Sequence, residues 1–481
     1  MTHTDPAPID TIVKQAPLWR LSAVQAAQAI RCQQVSAVAL TQSVLTRIQE
    51  VNPRINALAD VMVAQALDAA AQADRRQAQG EALRPLHGVP VTIKVNVDTA
   101  GCATTDGIVA LKDNIAATDS PLVTHLRQAG AILVGRSNTP AFSLRWFTDN
   151  DLHGRTLNPY DATVTPGGSS GGAAAAVATG MGSIAHGNDY GGSIRYPAWA
   201  CGVVGLRTTV GRIASYKASA PNRIISNQQM SVQGPLTRTV ADARLALQVM
   251  SQASPLDPQW VPAPLEYADA HQPVKVALFK QHAAYDADPT VVAALEQAAV
   301  WLQQAGCEVE EVAPPRFEEA SELWRHLVME DMRRGGRPAV DAMGDAAVRN
   351  ALHAYMDSLP IWDRDAYLEA LTQRFTICRD WSVFLAQYPV LLMPNSWEKQ
   401  FPVNDDNQSP QRTEQLLRAQ SPLLCTAMMG LPGLSVPTGV VNGLPTGVQL
   451  VSARFREDQA LRVGELIEQA AGYTVLDRLP V

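Results

Sequence analysis

The chain has 481 residues, 46% hydrophobic and only 18% charged, so it can bury a large core and is not an intrinsically disordered protein. At about 150 residues per domain, the length allows about three domains. With 39 basic against 46 acidic residues, a formal charge of -7 and no block of about five or six like charges, no surface for nucleic acid or an anionic membrane is expected.

The six cysteines, Cys32, Cys102, Cys201, Cys307, Cys378 and Cys425, include no C-x-x-C pair. A disulfide framework and a thiolate zinc site are therefore not expected, and a reducing compartment fits. The opening MTHTDPAPID lacks the basic flank and apolar core of a signal peptide, and no apolar run is long enough to span a bilayer. A cytoplasmic protein is the expectation.

In chain order, Ser22-x-x-Gln25 is a capping-box signal, and Leu40, Val44, Ile48 and Val51 follow at helical spacing until Pro53 ends the pattern. An alanine-rich helix is expected over 61–79, with Gly80 as its cap. Residues 1–80 are thus a helical segment packing on the core. Short apolar runs then appear at 89–95, 131–135, 182–186, 274–280, 390–393, 434–436 and 448–451, with helical patterns between them at 121–128 and 291–304. Strands separated by helices predict an α/β fold, with a mixed β-sheet covered by helices on both faces. Residues 81–254 form its core and 255–430 a variable, lid-like, substrate-facing region rich in tryptophan and charge. Residues 431–481 return to the sheet.

The chemistry concentrates in two glycine-rich loops. Gly167 to Gly172 leads into an apolar helix, and Asp189-Tyr190-Gly191-Gly192-Ser193 precedes a short helical pattern. Backbone N–H groups of such a loop can converge on a developing negative charge. Gly167-x-Ser169-x-Gly171 formally satisfies a nucleophile elbow, but no buried strand precedes it and His186 comes too soon after it to be the histidine of that order. GGSSGG also lacks the Lys-Ser/Thr ending of a phosphate-binding loop. A base other than histidine is available in Val91-Thr92-Ile93-Lys94-Val95, where Lys94 alternates with apolar neighbours. A lysine in that setting loses hydration, and its pKa falls towards neutrality. The histidines show no metal-ligand spacing, so no metal is expected.

HGVPVTIK, TPGGSSGG, DYGGSIRYPA and CGVVGLRTTVGRI, in that order, resemble the amidase signature family, serine hydrolases with a Ser-cisSer-Lys triad. The likeness runs over about 21–239 and resumes at 430–468. It implies a single large α/β domain that needs no cofactor. It also implies cleavage of the C–N bond of a small-molecule carboxylic amide, with aryl amides, esters and carbamates as further candidates, giving a carboxylic acid and ammonia or an amine. By the same resemblance Ser193 is the nucleophile that carries the acyl group, Lys94 the base and Ser169 the bridging serine reached through a cis peptide. Tyr190, Gly191, Gly192 and Ser193 match the oxyanion hole. Ser170, Asp189 and Arg195 fall in supporting positions, with Asp189 and Arg195 read as a buried structural pair. Ser143, Leu144 and Trp146 fall in the acyl-pocket segment, and Asp149 and His153 are candidates for its entrance.

Val95-Asn96, Asn188 and Arg207-Thr208 depart from the common family pattern without touching the triad. Two other readings stay open: a glutaminase-type subunit of an amidotransferase, and a catalytically dead binding protein. A homodimer is compatible with the family, although no heptad or isolated apolar helix locates an interface.

Overall fold

Chains of β-branched and leucine residues flanked by glycine or proline become strands because both faces of the sheet they enter are covered. The computed structural model describes residues 16–268 and 274–479. Its strands are β1 (Leu58–Val61), β2 (Pro90–Lys94), β3 (Ile132–Ser137), β4 (Ile184–Asp189), β5 (Val204–Arg207), β6 (Val232–Thr237), β7 (Lys275–Leu278), β8 (Glu308–Glu311), β9 (Val390–Met393), β10 (Gly433–Val441) and β11 (Leu444–Ser452). All belong to one sheet of order β1-β3-β2-β4-β6-β5-β10-β11-β9-β7-β8. The β2–β3, β2–β4, β7–β8 and β7–β9 pairs are parallel and the rest antiparallel. This is the mixed α/β sheet expected from the sequence.

Two details differ from the sequence reading. The helix Ala37–Ile55 runs through Pro53 and stops at Asn56, which adopts a left-handed conformation at φ 55°. A proline in the last turn forfeits one helical hydrogen bond without ending the helix, and Asn52 secures the exit by bonding both the N–H and the carbonyl of Leu58. In the 255–430 region, β7 and β9 fall on the apolar runs at 274–280 and 390–393, and β8 adds a strand that the sequence pattern does not show. Strand β8, Glu-Val-Glu-Glu, is an exposed edge whose carboxylates pair with Lys275 of β7.

Around the sheet centre the packing is close. The helix Gly171–Ala178 contains only glycine, alanine and one valine, and all its residues are buried. One ion pair ties the 255–430 region to the core beside it. Arg145 grips Asp406 with two bonds, Nε to Oδ2 at 2.8 Å and Nη2 to Oδ1 at 2.7 Å, and both side chains are essentially inaccessible. Removing one partner strands a buried charge, so Asp406→Asn is expected to lower the unfolding free energy by about 3–5 kcal/mol in a urea titration.

Candidate active site

The carboxyl ends of the parallel strands β2 and β4 lie side by side, the position where open α/β sheets bind ligands. Lys94 ends β2, and β4 runs past His186 to deliver Asn188 and Asp189.

The Lys94 side chain is completely buried. Its Nζ lies 2.7 Å from Ser169 Oγ, 3.2 Å from Ser170 Oγ and 2.8 Å from Asn188 Oδ1. Burial pulls the pKa of the amine down to about 7, against the opposing attraction of Asp106 and Asp189. A substantial fraction is therefore neutral near pH 7 and able to accept a proton.

Ser169 follows a cis peptide bond from Gly168. That loop presses on the 145–148 backbone so closely that a Cβ on Gly168 would sit 2.4 Å from the Arg145 carbonyl oxygen, which only glycine avoids. Thr148 braces the loop, its hydroxyl donating to the Gly167 carbonyl and accepting from the Gly171 N–H. The Ser170 N–H donates to the Ser193 carbonyl at 3.2 Å and joins the two glycine-rich loops. Ser193 itself is half-buried, its hydroxyl bonds to no protein group among the described residues, and it borders the same cavity as Ser169.

Asp189 organises the second loop. Its carboxylate, fully buried, accepts from the N–H groups of Gly192 and Ile194, from Nε and Nη2 of Arg195 and from Nη1 of Arg207. Burial alone would raise its pKa, but the two guanidinium charges and the N–H bonds outweigh that and hold it well below the usual carboxylate range. Asp189 and Arg195 form a buried ion pair, and Arg207, which the sequence marks only as a departure from the family pattern, is brought to the same carboxylate from a separate segment by β5.

This network corrects one expectation. Gly192 was expected among the oxyanion donors, but its N–H is spent on Asp189 at 2.8 Å. Gly192 instead supplies a turn, at φ +104°, where a Cβ would meet Leu423 at 2.6 Å. The Tyr190 and Gly191 carbonyls are held by the indole N–H groups of Trp324 and Trp146, at 2.8 and 3.0 Å. Among the described residues, the N–H groups of Gly191 and Ser193 have no acceptor, which leaves them open to a ligand oxygen.

A cavity of about 370 Å³ opens over these groups, bordered by Asn96, Asp106, Ser143, Ser169 and Ser193 and by the 215–224 loop. It continues, past Ser143, Leu144 and Ser193, into a narrow apolar pocket walled by Trp146, Trp324, Met332, Val348, Leu352 and Tyr355. Of the acyl-pocket candidates, Ser143 and Leu144 border both spaces and Trp146 borders the apolar one. The contribution of Trp324, Leu352 and Tyr355 was not foreseen, because the helices Phe317–Asp331 and Ala346–Asp357 carry no local motif that says which face meets a ligand.

Asp149 and His153 line neither space; His153 is bonded to Thr105 outside the cavity. His186 is buried against Gln233, with its pKa lowered by burial to about 3, and among the described residues no serine is hydrogen-bonded to its ring. Among the described residues no group of three His, Cys, Asp or Glu side chains is placed to hold a metal ion. No helix of the described residues is long and apolar enough to cross a membrane.

The amidase family model matches residues 39–461. An indoleacetamide hydrolase of Bradyrhizobium diazoefficiens is 43% identical over 460 residues, covering 95% of this chain and 88% of that protein. A glutamyl-tRNA(Gln) amidotransferase subunit from Moorella thermoacetica is 32% identical, covering 95% and 98%. Among solved structures, a bacterial aryl acylamidase of the amidase signature family superposes with a TM-score of 0.85 at 25% identity, covering 96% of this chain and 99% of that one. A matching family model over most of the chain, relatives matched along nearly their whole length and a shared fold lead to one conclusion: this protein belongs to the amidase family, the amidase signature hydrolases that act on amides.

Proposed function

We propose that the chain hydrolyses primary amides of arylacetic acids, of which indole-3-acetamide is the representative, to the free acid and ammonia. The observation that carries this reading is the aromatic-walled apolar pocket that shares Ser193 with the main cavity. A flat, apolar acyl side group seated there would bury its surface while its carbonyl stays beside the Ser193 hydroxyl. The 43% identity to an indoleacetamide hydrolase points the same way.

In this mechanism neutral Lys94 takes the proton of Ser169 as Ser169 takes that of Ser193. Ser193 Oγ attacks the amide carbon, and the oxyanion receives hydrogen bonds from the Gly191 and Ser193 N–H groups. Reversing the proton chain protonates the departing nitrogen, so ammonia leaves and the acyl group stays on Ser193. A water molecule, deprotonated through the same chain, then attacks the ester and frees the acid. The reaction belongs in the cytoplasm on this reading, in keeping with six free cysteines.

The amidotransferase reading draws on the relatives at 31–33% identity. A glutamine substrate would bring a charged amino-acid head, and Arg145, the one charged side chain bordering the apolar pocket, is buried and already paired with Asp406. Hydrolysis without any partner protein is therefore the reading to test.

Purified protein is expected to release ammonia from indole-3-acetamide, and Ser193→Ala to lower kcat by about 10⁴-fold or more, with Lys94→Ala nearly as severe. Activity retained in Ser193→Ala would remove that serine as nucleophile. Because the working form of Lys94 is the neutral one, kcat/KM should climb about tenfold per pH unit up to roughly pH 7 and level off above it. A profile flat from pH 5.5 to 8.5 would contradict a lysine base with that pKa. Leu352→Trp, which fills the apolar pocket, should cut kcat/KM for indole-3-acetamide by about 10²-fold while leaving propionamide within about threefold.

A further inference from the structure

Lys94 is joined to Asp106 by a chain of hydrogen bonds whose direction is fixed at the far end. A carboxylate can only accept, so Ser143 Oγ, 2.7 Å from Asp106 Oδ1, spends its one proton there. Ser143 Oγ must then act as the acceptor for Asn96 Nδ2 at 2.9 Å and for Thr139 at 3.0 Å. With its amide nitrogen turned to Ser143, Asn96 presents Oδ1 to Asn188 Nδ2 at 3.1 Å. Asn188 is thereby turned with Oδ1 towards Lys94 Nζ, at 2.8 Å. Either amide in the opposite orientation would set N–H against N–H.

Ser170 adds a second constraint. Its hydroxyl donates to the Asn188 carbonyl oxygen at 3.4 Å, so Oγ faces Lys94 as an acceptor. Lys94 Nζ thus meets two oxygens that require an N–H, those of Asn188 and Ser170, and one hydroxyl with a proton to give, that of Ser169. A neutral amine has two N–H bonds and one lone pair, which matches this demand group for group.

We propose that Asn188, oriented from Asp106 through Ser143 and Asn96, is a positioning residue that takes one N–H of Lys94 and thereby aims the amine lone pair at the Ser169 hydroxyl. The inference rests on Lys94 being the base. It makes Ser143 a part of the machinery that orients the base, although that residue also borders the cavity. It also gives Asn188 and Asn96 a shared task, since each holds the other in the orientation that Lys94 needs. The charged groups near the amine are Asp106, with Lys217 4.0 Å beyond it, and Asp189, which is clamped between Arg195 and Arg207. His186, on the same strand as Asn188, is neutral near pH 7. None of these competes for the Lys94 N–H groups at hydrogen-bond distance.

The test reads phosphonylation of Ser193 by an alkyl fluorophosphonate against pH, which does not depend on knowing the substrate. Asn188→Asp places a carboxylate on the amine and favours its charged form, so the acidic limb should move up by about one pH unit or more. Asn188→Leu should lower the maximum phosphonylation rate by about tenfold or more, and Ser143→Ala by about tenfold, with the half-saturating probe concentration within about twofold of wild type in both. An unmoved limb in Asn188→Asp, or a Ser143→Ala change confined to probe affinity, would overturn the proposal. Should Asn188→Asp not fold, Ser143→Ala, which removes one half-buried hydroxyl, decides alone. Lys94→Ala separates the two levels: near wild-type phosphonylation there means the base is misassigned. Loss there, combined with an unmoved Asn188→Asp limb, means only that the relay does not act.

Discussion

Lys94 has no solvent contact, yet its amine touches three oxygen atoms and none of them belongs to a carboxylate. That combination constrains everything around it. A fully buried ammonium without a counter-ion is costly enough that the group gives up its proton instead, which is the state a base requires. A carboxylate at hydrogen-bond distance would favour the charged form and push the range in which the amine is neutral to higher pH. The two nearest acids are both committed elsewhere, Asp106 to the Ser143 hydroxyl and Asp189 to two arginines. Their residual pull raises the pKa of the amine only enough to leave it near 7.

The same logic explains why so many charges are buried in a chain with few of them. Asp189, Arg195 and Arg207 are all inaccessible, and their pairing does not obviously add stability, because desolvating three ions costs about as much as their attraction returns. What the cluster provides is geometry. Five donors converge on one carboxylate, two of them backbone N–H groups on either side of Ser193, so the proposed nucleophile sits in a loop whose shape is set by ionic bonds.

Much of this was legible in the chain itself, and the boundary is physical. Alternation in VTIK places Lys94 among apolar neighbours, and the two glycine-rich loops stand out because glycine is wasteful unless a turn or a close approach requires it. Contacts between distant segments leave no such trace. Arg207 reads as one more polar residue after a strand until β5 and β6 bring it to Asp189. The pocket walls at Trp324, Leu352 and Tyr355 come from amphipathic helices whose apolar faces could equally be core. Strand β8 was hidden because an exposed edge leaves it one apolar residue, Val309, among three glutamates, and Pro53 misled because a proline in the last turn looks the same in sequence as one that ends a helix. Asn96 and Asn188 were visible as departures from the family pattern, but their pairing across the β2–β4 carboxyl ends is a fact of the sheet.

The fate of Gly192 shows why a run of backbone amides overcounts its donors. Successive peptide planes in a tight turn face different ways, so a loop cannot aim every N–H at one oxygen. In the 189–194 loop the Gly192 N–H turns back to Asp189, while the Gly191 and Ser193 N–H groups meet no acceptor among the described residues. The captured amide is what makes the free ones useful. It fixes the plane between Gly191 and Gly192, and the indole N–H groups of Trp146 and Trp324 fix the carbonyls on either side of Gly191. An oxyanion site gains its strength from donors that need not reorganise as charge develops. Here that rigidity comes partly from the walls of the acyl pocket, so a substrate filling the space between Trp146 and Trp324 would press on the side chains that aim the site's hydrogen bonds. On the proposed function, recognition of the acyl group and stabilisation of the oxyanion would therefore share two tryptophans.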